Sequence, residues 1–174
     1  MLLAVDVHYG ASRVTTAAVG FGDWRDETSV LEHVVHHAGA PDAYEPGRFF
    51  KRELPHLVSV IEQVRAKHVV ATVVIDAHVW LEAGHPGLGA HLADALGGLC
   101  VVGVAKTAYK GGIAIEITRG ESRAPLYITA AGIDPARAAE LVREMHGPFR
   151  LPTLLKRVDQ LARGNAVCDP SKVL

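Results

Sequence analysis

At about 150 residues per domain, a chain of 174 residues makes roughly one domain, and 49% hydrophobic with 21% charged residues is the balance of a globular chain with one compact core. Lys and Arg number 18 against 19 Asp and Glu, so the net charge of −1 excludes both a uniformly basic nucleic-acid wrapper and an acidic disordered tail. Two cysteines, Cys100 and Cys168, exclude a disulfide framework or a four-thiolate zinc site; with no basic leader and no apolar run near ~18 residues, the expected setting is cytoplasmic, without a membrane partner.

Val/Ile-rich runs of strand length fall at 2–8, 14–21, 29–35, 69–75, 99–104, 113–118 and 125–129. Between them, Leu54, Leu57, Val58, Ile61 and Val64 recur at helical spacing over 52–66, with Pro55 expected in a first turn. A second helix is predicted over 86–96. A third opens with Asp134 as N-cap and Pro135 at the first helical position, and a fourth covers 153–162. Three strands before the first helix read as an antiparallel meander, and the alternation that follows predicts parallel strands in a mixed α/β sheet flanked by helices. The first strand is expected inside the sheet, because the fourth must return beside it through a helical crossover. The domain is expected to span 1–163, and residues from Gly164 onward read as a flexible tail.

Asp6 in LLAVDVHY and Asp76 in VVATVVIDAH interrupt runs that look buried, where an isolated charge costs several kcal/mol unless paired or bound to a cation. On neighbouring parallel strands they would stand side by side, an arrangement relieved by a divalent metal with oxygen ligands. Capping a strand end is the ordinary structural alternative for each. Glu53, at the start of the first predicted helix, is a third carboxylate. Near it Arg48, Lys51 and Arg52 interleave with Tyr44, Phe49 and Phe50, a mixture suited to phosphate contact and base stacking, although one phenylalanine is expected to pack inward.

Tyr44-Glu45-Pro46-Gly47 followed by Arg52-Glu53 resembles the PYxPGxLxxRE motif of the endonuclease V family, inosine-directed nucleases with an RNase H-like fold. The resemblance continues in register through AVDVHY around Asp6, VVIDAH around Asp76, His85-Pro86 with Gly89-Ala90-His91, GVAKT at 103–107, APLYITAAG at 124–132, and Arg150-Leu151-Pro152-Thr153, similar to the closing RxPxPTR. It implies that Asp6, Glu53 and Asp76 are catalytic, metal-binding acids for Mg²⁺ or Mn²⁺, and that Lys106 is a cation facing the phosphate or transition state. It further implies that Tyr44 is a wedge beside the altered base, and that Pro46, Gly47, Arg48, Arg52, His85, Gly89 and Lys106 contact nucleic acid. The implied activity is a metal-dependent endonuclease that cleaves DNA or RNA, single-stranded or deaminated, near a deaminated purine.

Several features depart from the family pattern. No helix precedes the strand of Asp6, and the Gly-rich stretch of the base pocket reads AHVWLEAG, with Ala77 and Val79 in place of glycines. The arginine after His-Pro is Gly87. Counting from Pro152 to the family's fourth active-site residue lands on Arg157, with Asp159 about 200° further around an ideal helix. Asp159 and His78 are therefore additional possible ligands. These departures leave open a catalytically impaired nucleic-acid- or nucleotide-binding protein of the same fold, or a structural protein whose acids merely satisfy the sheet. Among the ten histidines, His33, His36 and His37 invite a zinc reading, with His33 and His37 on one strand face, but solvated or packed histidines are the simpler use.

Overall fold

The computed structural model describes residues 1–38 and 49–174. Seven strands form one mixed sheet in the order β3-β2-β1-β4-β7-β9-β8, and the short strands β5 (Trp80–Glu82) and β6 (His85–Pro86) form a separate hairpin. β1 (Leu2–Tyr9), β2 (Arg13–Phe21) and β3 (Leu31–Ala38) are the expected meander. β4 (Thr72–Ile75) lies parallel to β1, and β7 (Cys100–Ala105) parallel to β4. The last two strands depart from the expected parallel continuation. β9 (Leu126–Ala131) runs antiparallel to β7 and to the edge strand β8 (Ile115–Ile117), because no helix intervenes to reverse the chain between them.

Period-two alternation on β1 sends Leu2 and Ala4 to one core layer and Leu3 and Val5 to the other. The first layer packs under α3 (Pro135–Glu144) and α4 (Thr153–Ala162); the second packs under α1 (Phe49–Arg65) and α2 (Leu88–Ala95). Asp134 caps α3 as expected, its Oδ1 accepting from the Arg137 N–H at 2.9 Å. α1 begins at Phe49, three residues ahead of the expected start at 52, so Pro55 sits in the helix interior rather than its first turn. Its ring is exposed there, and the lost N–H costs the helix one internal bond.

Residues after α4, read as a tail, return along β3. The Asp169 N–H donates to Glu32 Oε2 at 2.9 Å, Val173 bridges to Glu32, and Pro170–Lys172 form a 3₁₀ turn. No described helix is long and apolar enough to cross a membrane.

Candidate active site

The β1/β4 register pairs Val5 with Ile75, so the next residue on each strand is an aspartate, Asp6 on one and Asp76 on the other. Asp6 keeps the alternation of Leu2 and Ala4 and faces α4, where Asp6, Asp76 and Asp159 line a small cavity of about 20 Å³ with Val158 and Leu155. Glu53, on the second turn of α1, lies near enough to feel the charges of Asp6 and Asp76. Burial, then the neighbouring charges of Asp76 and Asp159, push the Asp6 carboxyl up to about 7. Burial and then Asp6 push Glu53 up to about 8, against the opposing pull of Arg52.

Two cations attend this group. Lys106 Nζ, just past the end of β7, lies 2.5 Å from Asp76 Oδ2, and Arg163 Nε donates to Asp159 Oδ1 at 2.9 Å. The Arg150 guanidinium donates to the Lys106 carbonyl at 2.5 Å, fixing the backbone from which Lys106 extends.

The donor set suits a hard divalent cation: four carboxylates, two of them, Asp6 and Glu53, destabilised as anions by burial and then by acidic neighbours, beside a void large enough for one water-sized sphere. Among the described residues, no group of three or more His, Cys, Asp or Glu side chains stands close enough to hold a metal as they lie. Holding one therefore requires the carboxylates to draw together and Asp76 to exchange Lys106 for the ion.

Asp76 and Lys106 also border a larger pocket of about 710 Å³, walled by Phe50, Leu81, His85 and His91. Phe50 packs inward, stacking on His91 at 4.0 Å between ring centroids. The altered loop after Asp76 forms the β5–β6 hairpin over this pocket, anchored by Trp80 Nε1–H to the Ala130 carbonyl at 3.0 Å and by the Val79 N–H to Thr129 Oγ1 at 2.7 Å. His78 is tied inward, its Nε2 3.0 Å from the Thr107 carbonyl. That contact makes Nε2 the donor. Gly87, where the family has arginine, has no room for a side chain: a Cβ there would meet the His78 carbonyl oxygen at 2.5 Å. Gly89 is buried in the first turn of α2 against Val79, and Arg52 lies over the Tyr9 ring at 3.6 Å. Tyr44, Pro46, Gly47 and Arg48 lie outside the described residues.

His33 and His37 do share the α1 face of β3, but His33 pairs with Gln63 at 2.9 Å and His37 packs on His56, while His36 meets Thr15 at 3.1 Å. His33 and His37 are half-buried and His36 is exposed, each with an ordinary side-chain partner. Asp159 rather than Arg157 faces the acids. If Pro152 is matched to the first proline of RxPxPTR instead of the second, every later position moves by two and the count lands on Asp159. The ungapped run from Arg150 was thus the signal that locates it.

A seven-stranded mixed sheet of this order, with acids at the ends of its parallel strands, places the chain in the RNase H-like class. The chain belongs to the endonuclease V family, whose profile, described as Endonuclease V, matches residues 1–130. The human ENDOV crystal structure superposes with a TM-score of 0.77 at 21% identity, covering 94% of this chain and 83% of that one. A Ciona intestinalis endonuclease V bound to a 23mer DNA containing an inosine followed by a ribo-adenosine gives 0.78 at 15% identity, covering 94% and 84%. The Bacillus subtilis endonuclease V gives 0.75 at 16%, covering 94% and 79%. At these identities the structures speak for the fold. No curated protein matches the chain in sequence.

Proposed function

We propose that this chain is a divalent-metal-dependent endonuclease that hydrolyses a phosphodiester near a deaminated purine in DNA or RNA. The observation that carries the reading is the pairing of Asp6 and Asp76 on adjacent parallel strand ends, closed by Glu53 from one helix layer and Asp159 from the other. Family membership and the inosine-containing DNA bound by the Ciona relative support the substrate class. Asp6, Glu53 and Asp76 would hold Mg²⁺ or Mn²⁺, with Asp159 as the fourth acid. When bound, such an ion polarises phosphoryl oxygens and acidifies water at neutral pH.

The protein's own groups supply the rest. With carboxyls at about 7 and about 8, Asp6 in part and Glu53 for the most part hold protons near neutrality, and a cation entering would displace them, which couples ion binding to deprotonation. Lys106, once released from Asp76, offers a positive charge to the phosphoryl oxygens. The adjoining pocket of about 710 Å³ is large enough for an extruded base, with Phe50 and His91 as stacking surfaces. Tyr44, Arg48, Arg52 and His85 complete the proposed nucleic-acid contacts.

The test is incubation with labelled inosine-containing and inosine-free single strands of DNA and RNA, with Mg²⁺, Mn²⁺ or chelator. Cleavage confined to inosine-containing strands with metal is expected. Binding without cleavage under every condition would overturn the enzyme reading in favour of a nucleic-acid-binding protein of the same fold.

A further inference from the structure

Glu32 is a carboxylate with 2% of its surface exposed, on an edge strand remote in sequence from every acid of the site. Its two oxygens accept four hydrogen bonds: Arg157 Nε at 2.8 Å and Ser29 Oγ at 3.0 Å on Oε1, Arg157 Nη2 at 2.7 Å and the Asp169 N–H at 2.9 Å on Oε2. Arg157 Nη2 also donates to the Val167 carbonyl at 2.8 Å. This charge pair therefore ties together β3, α4 and the segment after α4. The carboxylate is held as an anion, well below its ordinary range, chiefly by the Arg157 fork.

Arg157 and Asp159 are two residues apart on α4, about 200° around its axis, so the helix carries the clamp on one side and the acid on the other. Apart from the bonds of Thr153 to His146 at its first residue, the contacts of α4 through Leu154, Leu155, Val158, Leu161 and Ala162 are apolar and non-directional, and specify its rotation less sharply than a hydrogen-bonded ion pair does. A bidentate guanidinium–carboxylate fork is directional. With side-chain tips ~5–6 Å from the axis, a rotation of roughly 20° moves a carboxylate by about 2 Å, the length of a whole metal–oxygen bond.

We propose that Glu32 and Arg157 are positioning residues: their buried ion pair, with the C-terminal segment bonded to it, fixes the rotation of α4 and so aims Asp159 at Asp6 and Asp76. The inference rests on Asp159 belonging to the proposed site. It makes the segment 166–173 a working part of that site rather than an appendage.

The test compares Glu32→Gln and Arg157→Lys with the unaltered protein, each verified as folded by circular dichroism. Two readouts are taken: Mn²⁺ affinity by electron paramagnetic resonance, and the ¹³C carboxyl resonance of Asp159 without metal. Expected are a roughly tenfold weaker Mn²⁺ affinity, a displaced Asp159 resonance, and no further loss when Glu32→Gln is added to Asp159→Asn. A lowered melting temperature with both readouts unchanged would overturn the proposal, as would additive losses in the double variant. Should Glu32→Gln fail to fold, Arg157→Lys, which keeps the charge but not the fork, decides the matter. Mn²⁺ binding without any nucleic-acid cleavage would instead count against the nuclease reading and leave the positioning role standing. If the unaltered protein binds no Mn²⁺, the carboxyl resonance alone decides.

Discussion

Lys106 Nζ rests 2.5 Å from Asp76 Oδ2, so the residue proposed to meet a phosphate occupies a carboxylate that would otherwise be open to a cation. Substrate and ion would relieve this pairing together: the ion takes Asp76 and the phosphate takes Lys106.

Lys106→Met separates the two roles. Loss of the ammonium should slow cleavage by roughly 10²–10³, the scale of removing one positioned charge donor from a transition state. Mn²⁺ affinity should hold or improve, because the competitor for Asp76 is gone. Titration calorimetry beside single-turnover cleavage reads both, and a large fall in Mn²⁺ affinity would show that the lysine organises the acids instead.

Asp6→Asn and Asp76→Asn should each abolish cleavage while leaving the metal-free protein folded, Asp6→Asn without loss of stability and Asp76→Asn at no more than the small cost of its half-exposed pair with Lys106. Either change removes one of two crowded anions along with a proposed ligand. Near-native activity in either variant would be incompatible with a site built on these two strand ends.

The raised carboxyls make metal-free stability depend on pH. Asp6 and Glu53 lose their protons near 4 in the unfolded chain but near 7 and 8 in the native one, so between these limits the native state binds more protons. Their stabilising contribution is complete below pH ~4 and is lost as pH rises through about 7 and 8. Urea unfolding should therefore give a lower midpoint at pH 8 than at pH 5.5. Asp6→Asn should flatten the difference, and Mn²⁺ should restore stability most at the higher pH.

Gly103 lies where the loop after Asp76 crosses β7, and a Cβ there would run into the Ala77 carbonyl oxygen and come within 2.9 Å of the Val79 nitrogen. Gly103→Ala should cost on the order of 2 kcal/mol by overpacking, measurable by urea unfolding. It should also displace the hairpin from its Thr129 and Ala130 anchors, and an unchanged midpoint would mean the loop yields freely.

Much of the fold follows from local rules that tertiary packing left intact. The periodic stripe of α4 has the same ends in sequence and structure, Thr153 and Ala162, and Asp134-Pro135 starts α3 as its capping chemistry requires. Asp6 and Asp76 stood out because charge inside a Val/Ile run has few uses. The β5–β6 hairpin was not legible: three residues against two carry no alternation, and its anchors, Trp80 to Ala130 and Val79 to Thr129, are 50 residues apart. Glu32 was equally silent: it too lies in an apolar run, 29–35, but nothing local shows that Arg157, 125 residues later, pairs with it. Asp159 was legible only as a possible ligand, because the count along one motif depends on which proline anchors it; in the fold it lines a cavity with Asp6 and Asp76.

A crystal of the protein soaked in Mn²⁺ and measured at the manganese absorption edge tests the site most directly. An anomalous peak with oxygens of both Asp6 and Asp76 at about 2–2.5 Å, Glu53 or Asp159 drawn toward it, and Lys106 displaced from Asp76 is the predicted result. Saturating Mn²⁺ with no peak beside Asp6, or a peak held only by residues elsewhere, would contradict a metal-dependent nuclease centre on these strands.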